Sequence, residues 1–225
     1  MIYDVNLPKK WSADLAYLFG LLIGDGSLPL AKTIRPNGKY QTRYLIYFVS
    51  NSLKFLNETY LPLFKKLFQL SPYVIEVKGK KNPLYNGRIE SKRIYEFLQK
   101  KGYIVGRKAK IAKVPDMPKK YHRYFLAGLL DTDGGKKGGG FGLSTASENL
   151  ALFCQEMFER FGFRYNSCPW RYKEHTYHQV YLPKKEMHKL LKAIPIRNID
   201  KISFIRNASV AQGMKTLTTY DFLYN

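Results

Sequence analysis

Cysteine is nearly missing: the 225 residues hold two, Cys154 and Cys168. They make neither a disulfide framework nor a metal-spaced pair, which fits reduced thiols inside a cell. Long apolar runs are missing too. The longest, Leu15 to Gly24, covers about half of the roughly 20 residues a membrane span needs, and it ends on Asp25. The opening MIYDVNLPKKW lacks the charged-then-apolar order of a signal peptide. The expectation is an intracellular protein of cytoplasm or nucleoid, with no membrane partner. Acidic residues are scarce: 17 Asp and Glu stand against 38 Lys and Arg, a net charge of +21. That balance points to a polyanion, most simply nucleic acid. It fits poorly with a paired-acid glycosidase acting on a neutral sugar.

What is abundant is repeated. Residues 18–26 read LFGLLIGDG and residues 126–134 read LAGLLDTDG. Behind the first come a strand-like run SLPLAKTI, the turn signal RPNGK and the strand YQTRYLIYFVS. A helical spacing follows in SLKFLNETYLPLFKKLF, where Pro62 is expected to bend or split the helix. Two short strands and the capped helix SKRIYEFLQKKG close this half. The second half repeats the order, with GGKKGGG as hairpin signal and KKEMHKLLKAI as closing helix. The reading is an α+β protein of two αββαββα halves, 1–106 and 107–225, with a proline-bearing link over about 103–119.

Both apolar helices carry small residues at helical spacing: Ala16, Gly20 and Gly24 in the first, Gly128 and Thr132 in the second. Glycine inside a helix costs about 1 kcal/mol relative to alanine, and close backbone approach is a reason to accept it. The two helices are therefore expected to pack stripe to stripe between the halves. Ser12 and Asp116 are the expected caps at their starts. At their ends, Gly26 and Gly134 are expected in the left-handed conformation. That packing would set Asp25 and Asp133 together at partly negative helix ends, where two carboxylates repel. Divalent cations relieve such a clash, and Mg²⁺ favours few carboxylates plus phosphate oxygens and water. Asp131 has Ile23 as its counterpart and is read as structural.

At these residues the chain resembles the LAGLIDADG homing endonucleases, of the single-chain, two-motif, archaeal-intron-like type. The second motif differs from the family signature at two positions and the first at more. The resemblance implies antiparallel four-stranded sheets forming a DNA-binding saddle, and double-strand cleavage across the minor groove with short 3′ overhangs. It also implies a Mg²⁺ (or Mn²⁺) cofactor and a monomer acting on a long double-stranded target. Asp25 and Asp133 would bind metal, with the adjacent Gly24 and Thr132 at the same helix tips. Gln41, Lys108, Lys136 and Lys201 are the further catalytic candidates, and Lys108 and Lys201 follow the closing helices in matching places. An intron RNA is a second expected partner, since some members act as maturases. A DNA-binding protein without chemistry is the remaining alternative, though bare paired carboxylates would repel phosphates.

For DNA contact the polar residues of strands and hairpins are the candidates: Arg35, Lys39, Arg43, Lys78, Lys80, Asn82, Asn86 and Arg88 in the first half. In the second they are Lys137, Arg164, Asn166, Arg171, Lys173, His175 and Gln179. The glycine-rich hairpin at 135–140 is shorter than its counterpart at 29–40, so the two half-sites should be read unevenly. His175 and His178 beside Glu174 could suggest zinc, but no cysteine cluster supports it.

Overall fold

A computed structural model describes residues 5–210. The tail from Met214, for which the sequence suggested docking on the body, lies outside the described residues. The first half runs α1 (Ala13–Asp25), β1 (Gly26–Ser27), β2 (Leu30–Ile34), β3 (Tyr40–Ser50), α2 (Leu53–Phe55), a π-turn (Leu56–Tyr60), α3 (Leu61–Phe68), β4 (Tyr73–Glu76), β5 (Tyr85–Glu90) and α4 (Lys92–Lys100). The second runs α5 (His122–Thr132), β6 (Gly134–Lys137), β7 (Gly140–Thr145), α6 (Glu148–Arg160), β8 (Asn166–Tyr172), β9 (His175–Leu182), α7 (Met187–Ala193) and α8 (Ile199–Val210).

The α+β, twofold-repeated reading holds. Each half carries an antiparallel sheet, ordered β1-β3-β5-β4 with β2 also on β3, and β6-β7-β9-β8. β1 and β2 are one edge strand broken around Leu28 and Pro29, as expected where proline cannot donate to a ladder. Inward side chains such as Ile46, Phe48 and Ile89 in one sheet, and Phe141, Leu143 and Val180 in the other, are buried in the core with the helices. The opposite face of each sheet has no helix on it among the described residues.

Local signals account for most boundaries. Ser12 Oγ caps α1 by accepting from Leu15 N, and Ser91 and Ser147 cap α4 and α6 in the same way. Pro62 sits just past the π-turn, where Leu61 N reaches Leu56 O instead of the usual partner, so the long helix is split where expected. Asp116 does not cap α5. A 3-10 turn (Lys119–Tyr121) leads into that helix, and no side chain caps it. α8 is an addition to the expected plan, begun by Asn198, whose side-chain oxygen accepts from Asp200 N.

Helices α1 and α5 pack on each other through the expected small residues. A Cβ on Gly20 would strike the Phe125 carbonyl and lie 2.8 Å from Leu129 N. A Cβ on Gly128 would strike the Tyr17 carbonyl and lie 2.8 Å from Leu21 N. Gly24 abuts the Thr132 side chain. These contacts are equivalent under a twofold relation of the halves, and they set both helix C-termini at one end.

Candidate metal centre and nucleic-acid interface

The two aspartates end this helix pair. Gly26 and Gly134 carry each helix straight into a strand. Gly26 is extended (φ −89, ψ 161) rather than left-handed. Gly134 is likewise absent from the positive-φ residues. The glycines are needed for a different reason: a Cβ on either would collide with the backbone of the helix it leaves, at Leu22 or Leu130. This sharp exit keeps Asp25 and Asp133 at the tips instead of carrying them round a cap.

Asp133 senses the charge of Asp25. Burial, then the charge of Asp25, pushes the Asp133 carboxyl up to about 6, against the pull of Lys108, Lys201 and Lys137. Burial also raises Asp25, opposed by Lys201 and Lys108. By surface area Asp25 is exposed at its tip and Asp133 is half-buried. Among the described residues neither carboxylate accepts a hydrogen bond or forms an ion pair.

Two lysines hold the helix ends. Lys108 Nζ donates to the carbonyls of Leu22 (2.5 Å) and Gly26 (2.6 Å), with Gly24 O at 3.4 Å and the Tyr103 hydroxyl at 3.0 Å. Lys201 Nζ donates to Leu130 O (2.8 Å) and Thr132 O (2.7 Å). Leu22 and Gly24 correspond to Leu130 and Thr132, so Lys108 and Lys201 hold matching helix ends, with Gly26 O an additional acceptor for Lys108. They are delivered differently, one by a turn in the link and one by the first turn of α8. Each ammonium satisfies carbonyls that a helix leaves open and places positive charge at its negative end. Burial pushes both lysines down to about 8, while Asp133 and Asp25 hold up Lys108, and Asp131, Asp25 and Asp133 hold up Lys201.

The Gly24 and Thr132 carbonyls are thus turned to lysines rather than left open. The free oxygens at the tips are those of Asp25 and Asp133. No cluster of three His, Cys, Asp or Glu is present among the described residues. Two hard oxygen donors without protein partners fit a Mg²⁺-type ion whose remaining positions are filled by phosphate and water. They do not fit a zinc cage.

Asp131 is occupied otherwise. It is buried and accepts from the Tyr17 hydroxyl (2.5 Å), Arg197 N (2.8 Å) and Asn198 N (3.1 Å). It ties α1 and the chain before α8 to α5, in keeping with a structural reading.

The other catalytic candidates fall elsewhere. Gln41 lies on the β2–β3 hairpin opposite Thr33, its Oε1 accepting from Arg35 Nε at 2.8 Å. It is seven residues along β3 from Phe48, the partner of Gly26, or roughly 23 Å from the tip. Strand alternation puts it on the open face, far from the carboxylates. Lys136 pairs with Phe141, whose ring is buried, so it projects to the helix side of the sheet edge. Lys137, pairing with Gly140, has the opposite orientation, and it is the hairpin lysine whose charge acts on Asp133.

Of the candidates for DNA contact, Arg35 and Lys39 flank the β2–β3 turn, and Lys78, Lys80 and Asn82 sit exposed between β4 and β5. Arg43, Asn86 and Arg88 lie on the open face of the first sheet. Arg43 is paired with Glu90 at 2.7 Å. Arg88 lies over the Tyr47 ring at 4.7 Å, and its Nε and the Asn86 side-chain oxygen are shielded yet without hydrogen-bond partners. In the second sheet Asn166, His175 and Gln179 are on the open face. Arg171 pairs with Thr176 on the other face, Lys173 is in the turn, and Arg164 lies before β8, where its charge acts on Glu186. The sequence reading passed over Trp170, Tyr172 and Tyr177, which share that open face. Alternation with the buried Val180 and Leu182 was the signal for them.

The family model of the LAGLIDADG-like domain matches residues 120–195. No curated protein sequence matches the chain significantly. Among solved structures the chain is similar to the homing endonuclease I-DmoI in a study of mesophilic variants. The TM-score is 0.58 at 17% identity, over 83% of this chain and 97% of that one. It is also similar to I-DmoI in complex with DNA and Mn, with a TM-score of 0.57 at 17% identity, over 82% and 98%. A point mutant of I-SmaMI gives a TM-score of 0.59 at 12% identity, over 90% and 92%. The family match covers part of the second half, and the whole chain shares the fold of these solved structures.

Proposed function

We propose that this protein is a site-specific, divalent-metal-dependent DNA endonuclease that acts as a single chain on a long duplex target. The observation that carries the reading is the pairing of Asp25 with Asp133 at two helix tips, each tip held by its own half-buried lysine. Two carboxylates drawn together and left unpartnered are costly unless a cation joins them. A bound divalent ion there, Mg²⁺ by the hardness of its donors, would supply Lewis-acid stabilisation of the phosphodiester and lower the pKa of its water. The fold's two likenesses in I-DmoI, one solved with DNA and Mn and another with Mg, support this chemistry by analogy.

The protein's own groups divide the remaining work. Lys108 and Lys201 keep positive charge beside the carboxylates, where phosphate charge must be balanced in a desolvated site. Lys137 reaches the same region from the hairpin. The open sheet faces, one on either side of the tips, lie where a duplex bound across them would pass over Asp25 and Asp133. The +21 charge supplies the phosphate attraction, so affinity should fall steeply as salt rises.

The test is cleavage selection on a randomised duplex library with Mg²⁺, repeated with Asp25→Asn and Asp133→Asn. The expected result is a discrete site cut on both strands. Each substitution should end double-strand cutting while leaving duplex affinity within about threefold. Cutting that survives in the double variant overturns the assignment.

A further inference from the structure

The two open sheet faces differ in chemistry. On the first, alternation places Arg43, Arg88, Asn86 and Gln41 outward, groups that read bases by hydrogen bonds. On the second, Lys137 at the β6–β7 hairpin is the one lysine or arginine among the strand residues of that face. Rings take the place of cations. Trp170 and Tyr177 are cross-strand partners, stacked with centroids 5.0 Å apart and planes 23° apart. Tyr172 leans on Trp170 at 6.1 Å, and His175 stands edge-on to Tyr177 at 6.5 Å.

These rings do not serve the core. Val180 and Leu182 point the other way into it, and Ser167 is hydrogen-bonded to Gln155 of α6 on that helix side. Trp170 and Tyr172 remain 38% and 56% exposed. An apolar patch on a strongly basic protein, with Lys173 in the adjoining turn, marks a contact surface for something anionic with an apolar feature.

We propose that this face recognises its part of the duplex through apolar contact with thymine 5-methyl groups, while the first sheet reads by hydrogen bonds. This deepens the endonuclease reading and rests on it. Thymine is the one base that presents a methyl group in the major groove. Position supports the occupant: Gly134, next to Asp133, lies in one register row with Leu143, Val180 and Ser167. Tyr177 is three residues along β9 from that row, roughly 10 Å, on the side away from the β6–β7 hairpin. A duplex over the carboxylates therefore passes within reach of the rings. The Trp170–Tyr177 stack covers one face of each of these rings, and a platform for unpaired bases on the remaining faces is an outcome the test separates.

The test uses the full chain and its selected target, with thymine replaced by deoxyuridine in one half-site at a time. That change removes the methyl and keeps the base's hydrogen bonds. In the half read by the second sheet, affinity should fall about three- to fourfold per methyl contacted. Trp170→Ala should erase the difference between thymine and uracil duplexes in that half alone, and so should Tyr172→Ser, which removes the most exposed ring without touching the core. Melting temperatures of both variants should match the parent.

Indifference to uracil in both halves overturns the proposal, as does sensitivity that survives both substitutions. Tighter binding of single-stranded DNA or RNA that depends on Trp170 overturns it in favour of a stacking platform. Dimerisation that depends on Trp170 overturns it in favour of a second copy. Uracil indifference in a protein that still cuts its site leaves the endonuclease reading standing, whereas failure to bind any duplex removes both.

Discussion

Gly20 and Gly128 meet at the crossing of the two central helices, each lying where a side chain on the other would enter backbone. Alanine at either position would ordinarily favour the helix by about 1 kcal/mol. Here the neighbour is main chain and cannot rotate away. Gly20→Ala and Gly128→Ala should each destabilise by about 1–3 kcal/mol or more, lowering the melting temperature by several degrees. Gly24→Ala should be relieved by Thr132→Gly and not by Thr132→Ala, because the added Cβ would also lie 2.7 Å from the Thr132 Cβ. A thermal melt of these variants checks this.

Lys108 and Lys201 each act on both aspartates. Replacing either with Met should therefore impair both strand cuts, not one. Cleavage should drop about a hundredfold or more, with duplex affinity little changed. The assay is supercoiled plasmid carrying the target. Accumulation of nicked circles by one variant would show that each lysine serves its own strand.

Asn86 has a shielded side-chain oxygen without a partner on the face proposed to bind DNA. An unsatisfied buried polar group lowers stability, and DNA could satisfy this one only if the side chain turned outward on binding. Asn86→Leu should raise stability by about 1 kcal/mol while weakening binding to the selected target. Chemical denaturation and a binding titration on the same variant separate the two effects. Loss of both would make Asn86 a folding residue only.

Asp14 accepts from Lys66 at 2.7 Å and from Arg197 at 3.0 Å, joining α1 to α3 and to the chain before α8. Burial works to raise its pKa, but these partners prevail and hold it below the ordinary value of 3.8. A depressed carboxylate contributes stability above its unfolded pKa and loses it as pH falls through the folded one. Asp14→Asn should lower the melting temperature at pH 5 to 7, and the gap to the parent should close below about pH 3.8. Melts across that range read the result.

Much of this was legible in the residues. Periodicity gave the repeated order, the small-residue stripe gave the α1–α5 contact, and Asp25 with Asp133 followed from it. Matching positions after the closing helices pointed to Lys108 and Lys201. The failures have local causes. Lys136 was favoured over Lys137 by distance along the chain, where alternation against buried Phe141 decides. Gln41 lies on the expected strand but near its hairpin end, a matter of register that composition does not carry. Gly26 was read as a helix stop, though its freedom is spent on steric clearance. The rings of the second sheet escaped because polar side chains were sought on a binding face.

The placement of Lys108 has a consequence for recombining the halves. It belongs to the link, yet it closes the end of α1 together with Tyr103. A hybrid that takes its first half only to the end of α4 would graft a foreign strap onto that helix tip. The exchangeable unit is therefore longer than the repeat itself, and crossover points belong after the turn that delivers this lysine.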